Sequence, residues 1–311
     1  MAARQLDKYY EIRLALLLRR LRESWALFAE SRIGLLGVAI IVFFALLAIA
    51  HPILMATVWE HEVYHPVIGF DASLVGHPTP PSARHLLGTD PLGRDILSML
   101  MHSTHSEFLL GILAAVVTVV AATTVGAVSA YFGGWLDSVL MRLADLVIMM
   151  PALSLYIVLA ALFDLNFTTL AIAIGLVSGL GATSVIIKAQ AITISVKPYV
   201  EAARGAGGSH FHIIVTHMIP NLMPLAFLFM MFTVTAAIFS EAVLSFFGVL
   251  NIRMSWGIMI NTAQSSGYLG FGLEYWWLLM PAGLSITLLC ASFYLVGRGL
   301  DPVVNPRLRS R

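Results

Sequence analysis

Apolar residues in this chain run in long blocks joined by short polar connections. Six blocks are long enough to be read as membrane-spanning helices, since roughly 20 apolar residues cross a bilayer. They are 33–50, 108–132, 146–163, 167–187, 222–250 and 276–296. The first carries no charge, and Glu241 is a single charge inside the fifth. Between the fourth and fifth blocks lies a polar, small-residue run, 199–209, closed by Ile219, Pro220 and Asn221. Pro198 is placed to open a helix there, Glu201 suits its first turn, and the glycines around Gly207 stop it and allow a sharp reversal. Ser209 then caps a second short helix that is expected to end near Pro220. Such a helix-turn-helix spans nothing, but it makes a compact knob that a soluble partner can grip.

Composition excludes an ordinary soluble domain. Of the 311 residues, 59% are hydrophobic and 11% charged, with a mean hydropathy of +0.88, so the chain reads as a polytopic membrane protein. Positively charged segments stay on the cytoplasmic side. With the N-terminus inside, all but Arg84, Arg94 and Arg253 of the 18 Lys and Arg residues fall on the inner side, which puts the knob in the cytoplasm and both termini with it. Residues 1–32 are basic and amphipathic, with Arg13, Arg19, Arg20 and Arg22 among leucines, and read as a helix lying on membrane lipid. A signal peptide is not indicated, because the apolar run begins late, is too long and lacks a small-residue cleavage site. The single Cys290 lies inside the last block, so there is no disulfide framework.

The knob resembles the EAA loop of ABC importer permeases, with Glu201, Ala202, Ala203, Gly207 and Pro220 at the motif's positions. His217 stands where the general motif has an aliphatic residue, although the dipeptide/oligopeptide branch often has His there. A second stretch, 85–98, resembles the GTDxxGRDxxS signature of the branch that imports dipeptides, oligopeptides and nickel. Gly88 and Gly93 allow tight turns there, while Asp90, Arg94 and Asp95 can pair to stiffen an exposed lip. Downstream the match weakens, because the family's Gly-Ala-Arg is here Ser103, Thr104 and His105. Two further stretches, 133–145 with Pro151, and 240–248 with Ser255, Trp256 and Gly257, resemble the same family. The C-terminal stretch keeps the family's length but not its charges: Arg298 replaces a usual Asp, Asp301 a usual Arg and Asn305 a usual Asp.

Several residues carry more than one reading. Glu241 in an apolar span either contributes to a translocation path or makes a structural hydrogen bond or charge pair. Arg142 and Asp145 can face each other on a helix, as can Arg298 and Asp301. Gly175 and Gly179 form a GxxxG pair, and Ala121, Ala122, Gly126 and Ala130 are closely spaced in the second block, so helices pack closely there, within the subunit or against another. His61, Glu62 and His65 fit HExxH, the zinc-binding pattern of metalloproteases. Pro66 disfavours helical backbone at His65, and no companion motif offers a third ligand.

The phosphate-cradling GxxxxGK[ST] loop is missing, so ATP hydrolysis is expected on a separate subunit. The resemblance implies an all-α membrane protein with six transmembrane helices, the type I ABC importer permease fold with a cytoplasmic coupling loop. The divisions expected are an N-terminal segment 1–32, a first helix 33–51, an extracytoplasmic segment 52–104, a five-helix core 105–298 with the coupling loop 198–221, and a tail 299–311. The implied role is a non-catalytic subunit forming half of a pore for peptides, most like the second permease of its system. Its implied partners are a second permease, two ATP-binding subunits and an extracytoplasmic binding protein, with no cofactor and no nucleic acid. Nickel or oligosaccharide cargo is an alternative within the class. A membrane zinc metalloprotease using His61, Glu62 and His65, and an ion-coupled secondary transporter, are rivals from other classes.

Overall fold

The structure, a computed structural model, describes Arg19 and residues 22–304. Arg13 and Arg20 of the amphipathic segment, and Asn305, Arg307, Arg309 and Arg311 of the tail, lie outside the described residues. Four helices are long and apolar enough to cross a membrane, or six if each of two bent pairs is one span.

Helix α1 (Arg32–Thr57) starts where the Ser31 hydroxyl accepts from the Gly34 N–H. It shows lipid an apolar surface that includes Leu36, Phe43, Leu46 and Ile49. Helix α2 (Ile96–Phe132) is the central post of the bundle. Its 37 residues rise about 55 Å, well beyond the roughly 30 Å hydrocarbon core. It begins twelve residues before the start expected at Phe108. The added turns carry Ser98, Ser103, Thr104 and Glu107, all buried in protein, so their polarity hides the helix from a hydropathy reading.

The third expected span, 146–163, is not one helix. Helix α3 (Gly134–Met149) and α4 (Ala152–Leu162) meet at 91°. Pro151 has no N–H to continue the ladder, and it pushes Met150 to an extended ψ of 128°. The fourth span bends by 44° at Gly181, between α5 (Phe167–Leu180) and α6 (Ala182–Ser195). Asn166 and Thr169 form a reciprocal capping box at the head of α5. Helix α7 (Pro198–Gly205) is the expected first half of the knob.

The second half differs from expectation. Instead of a short helix ending near Pro220, a wide π-helical turn, Ile213–Met218, runs straight into α8 (Ile219–Phe246), with Pro220 in its first turn. Proline lacks the donor that an α-helical carbonyl four residues back requires, and the wider turn absorbs that mismatch without breaking the rod. The short α9 (Trp256–Ser265) and the long α10 (Trp276–Val304) complete the bundle.

Small residues set the helix crossings. A Cβ on Gly175 would lie 2.6 Å from Cβ of Val117, and one on Gly179 would lie 2.7 Å from Cβ of Ala121, so the GxxxG pair packs within the subunit on α2. Thr118 Oγ1 donates to the Gly175 carbonyl across that contact at 3.1 Å. Gly34 and Gly37 of α1 meet Gly299 and Ser292 of α10 in the same manner. Three apolar clusters follow along the bundle. One around Trp256, Phe44 and Met99 supports the lip of residues 85–98, one around Leu110, Tyr156 and Ile174 fills the middle, and one around Ile187, Val200 and Met218 carries the knob.

Candidate functional site

The knob is built by local chemistry. Pro198 sits in the first turn of α7, where its missing N–H is not needed. Glu201 follows in the same turn, where the helix dipole favours a carboxylate. Val200 on the opposite face is fully buried among residues such as Ile194, Ile213 and Met218. Gly207, at φ +80°, turns the chain, and the Gly208 N–H donates back to the Ala203 carbonyl at 3.0 Å. The Ser209 hydroxyl accepts from the His212 N–H at 3.2 Å, starting the next helical turn.

Glu201, Ala202, Ala203 and Gly207 are therefore brought together. Glu201 and Ala202 are exposed, Ala203 is half-buried, and Pro220 is exposed further along, at the start of α8. Tyr199 and Phe211 add exposed aromatic surface, Phe211 at 76% exposure. The knob is also tied to the post: Tyr131 at the foot of α2 lies 2.9 Å, oxygen to nitrogen, from His210 Nδ1, and the Arg204 guanidinium sits 5.0 Å from the Tyr131 ring centroid. Beside it Lys188 of α6 pairs with Asp137 of α3 at 2.5 Å, and Ser129 of α2 also donates to Asp137. The knob thus touches α2 through Tyr131 and α6 through Val200 and Ile194, and runs directly into α8.

The other end of the bundle holds the lip. Asp90 pairs with Arg94 as expected, its Oδ2 accepting from Nε at 2.8 Å and Nη2 at 2.5 Å, and its Oδ1 accepting from the Leu92 and Arg94 N–H groups. Asp95 does not pair with Arg94. It caps α2 through the Ser98 N–H at 2.7 Å and meets the buried His85 ring at 2.8 Å. Asp71 meets the other ring nitrogen of His85 at 3.1 Å and Arg84 Nε at 2.8 Å. Burial pushes the Asp71 carboxyl up, but hydrogen bonds from Ser73 and His85 and the Arg84 charge outweigh it, leaving it at about 2. Burial pushes Asp95 up, partly offset by the Ser98 N–H and His85.

The HExxH stretch brings the His61 and His65 rings to 4.8 Å, centroid to centroid, but not as a continuous helix. The helical turn His61–Tyr64 stops before His65, whose ψ is 123°, and His65 Nδ1 accepts from the Val67 and Ile68 N–H groups at 3.1 and 3.2 Å. No group of three or more candidate metal ligands occurs among the described residues.

The charge pairs Arg142–Asp145 and Arg298–Asp301 form at 3.6 and 3.1 Å. Glu241 lies six turns along α8 from the knob, fully enclosed, its Oε1 accepting from Ser245 Oγ at 2.6 Å. Facing it is Glu107 of α2, also fully enclosed, which the sequence reading missed because it lay one residue before the expected start of the span. An ionisable residue at the edge of an apolar run was the available signal. Between the two ends, the breaks at Pro151 and Gly181 open a cavity of about 380 Å³ beside α8. Its walls are mostly apolar, with Val177, Phe229 and Phe232, and carry the hydroxyls of Tyr156, Ser178, Thr183, Thr233 and Ser240 but no charged side chain.

Residues 122–310 match the family described as the binding-protein-dependent transport system inner membrane component. The dipeptide transport system permease protein DppC of Bacillus subtilis (strain 168) is 30% identical over 291 residues, which are 93% of this chain and 86% of that protein. The oligopeptide transport system permease protein OppC of the same organism is 29% identical over 290 residues, 93% of this chain and 90% of that protein. An oligopeptide transport system permease protein OppC of Mycobacterium tuberculosis (strain ATCC 25618 / H37Rv) is 32% identical over 238 residues, 74% of this chain and 79% of that protein.

Proposed function

The chain belongs to the inner membrane components of binding-protein-dependent transport systems, the permeases of ABC importers, and on that premise we propose that it forms half of a peptide pore whose knob docks an ATPase. It is a multi-pass membrane subunit that carries transport rather than catalysis, and the family works with ATP-hydrolysing and substrate-binding partners. A second, related permease completes the pore, two ATP-binding subunits grip the knobs, and an extracytoplasmic binding protein meets the lip. The knob faces the cytoplasm, consistent with Lys188, Lys197 and Arg204 clustering at that end.

The observation that carries the coupling role is the knob itself. One face is anchored by Val200, the other presents Glu201 and Ala202, and its contacts with Tyr131 of α2 and Ile194 of α6 and its continuity with α8 transmit movement. ATP-driven closure of the motor pulls these helices and opens the central cavity outward; hydrolysis resets it. A mostly apolar, uncharged wall with scattered hydroxyls suits a cargo whose main chain is constant and whose side chains vary, and the relatives' names favour dipeptides or oligopeptides over nickel or oligosaccharide. Glu241, enclosed behind Ser240, serves the path by fixing the helix whose Thr233 and Ser240 face the cavity.

The test is uptake by proteoliposomes holding the complete importer. Labelled dipeptides and oligopeptides are expected to enter only with ATP and the binding protein, and without competition from nickel or oligosaccharide. Uptake of nickel or sugar with no peptide uptake would overturn the peptide reading.

A further inference from the structure

We propose that Glu107 and Glu241 form a proton-binding site, a single proton held between their carboxyl groups tying α2 to α8 in the solvent-excluded interior. Both side chains are fully buried. Glu241 Oε1 is occupied by the Ser245 hydroxyl, and Ser255, just before α9, directs a second hydroxyl toward the same carboxyl. Three oxygens are left over: both of Glu107 and Oε2 of Glu241 have no hydrogen-bond partner, although α2 and α8 pack directly here, a Cβ on Gly111 one turn from Glu107 lying 2.6 Å from Val234 of α8, so that the two carboxyl groups face each other. From α10, the Cys290 thiol acts on Glu107, and among the described residues no Lys, Arg or His supplies a counter-charge to either carboxyl.

Two ionised carboxylates facing each other there would repel strongly in a low-dielectric interior and would each bear an uncompensated desolvation penalty. One proton changes this. A protonated carboxyl is a donor, so an acceptor facing an acceptor becomes a donor facing an acceptor, and the net charge of the pair drops to minus one. The remaining charge is met by the hydroxyls of Ser245 and Ser255. The site lies at the lip end of the bundle, beneath Trp256, whose indole N–H donates to the Leu100 carbonyl of α2. Opening of this end to water would expose the pair, release the proton and let repulsion drive α2 and α8 apart.

The test uses the complete importer in lipid nanodiscs with isotope-labelled glutamate. Infrared spectra of the wild type are expected to show a protonated-carboxyl stretch at neutral and mildly alkaline pH that shifts on exchange into heavy water and is lost in Glu107→Gln and Glu241→Gln. A proton held by the folded state and released by the unfolded chain makes stability fall as pH rises. The thermal midpoint of the wild type should therefore drop by several degrees toward alkaline pH, while that of Glu107→Gln, whose amide keeps a permanent donor, stays flat. Absence of the band in the wild type, or the same pH slope in wild type and Glu107→Gln, would overturn the proposal. So would a midpoint that rises with sodium at fixed pH, which would make the occupant a metal cation. If Glu107→Gln fails to fold, the infrared spectrum of the wild type decides alone.

Discussion

Replacing Glu201 by Arg is expected to cut ATP-driven uptake at least tenfold while leaving the chain folded and inserted. The carboxylate is exposed, and among the described residues it makes no ion pair or side-chain hydrogen bond, so no internal contact is lost. Reversing its sign in the first turn of α7 costs the isolated knob about 0.3–1 kcal/mol through the helix dipole. The larger effect falls on docking. A charge that becomes enclosed against a partner typically carries about 2 kcal/mol or more, roughly thirtyfold in affinity. The check is uptake together with ATPase activity: the variant should accumulate at wild-type level, lose uptake at least tenfold, and no longer respond to the loaded binding protein. A milder loss is expected for Glu201→Gln, which keeps the size and the hydrogen-bonding reach.

Gly179→Leu should instead prevent the bundle from assembling. The position already touches Ala121, and the surrounding backbone of Thr118 would lie 3.0 Å from an added Cβ, so a full side chain has to drive α5 off α2. Overpacking of this kind costs about 3 kcal/mol, and displacement also strains the Thr118 to Gly175 hydrogen bond. The folded yield in detergent and the thermal midpoint should both collapse. Gly283→Ala on α10 is the control, since nothing lies within 4 Å of its added methyl and alanine is the better helix former. Its midpoint should equal or exceed that of the wild type.

What the sequence made legible was local. Pro198, Glu201, Gly207 and Ser209 announce the knob because initiation, dipole, reversal and cap are each decided within a few residues. The family resemblance sharpened this reading without altering it. Pro220 misled, because a proline ordinarily ends a helix, and here a π-helical turn just before it lets the rod continue to Phe246. The GxxxG pair was legible as a close-packing face, but not its partner, since Val117 and Ala121 lie more than fifty positions away and nothing in local spacing joins them. The same holds for Gly34 and Gly37 against Gly299. The early start of α2 stayed hidden because hydropathy assumes that polar residues face water, whereas Ser98, Ser103, Thr104 and Glu107 face protein. That error also concealed the partner of Glu241. Asp71 escaped notice in the lip because its link to His85 depends on how the loop folds back.

Docking of an ATPase on the knob is tested most directly by cross-linking in membranes that contain the complete importer. In a chain whose Cys290 is replaced by Ser, single cysteines are placed at Ala202 and Gly205 on the exposed face of α7, and at the exposed Leu92 of the lip. Ala202→Cys and Gly205→Cys should link to the ATPase polypeptide, with a yield that changes when nucleotide binds, and Leu92→Cys should not. An intact complex in which neither knob position reaches the ATPase, or in which Leu92→Cys does, would contradict the account.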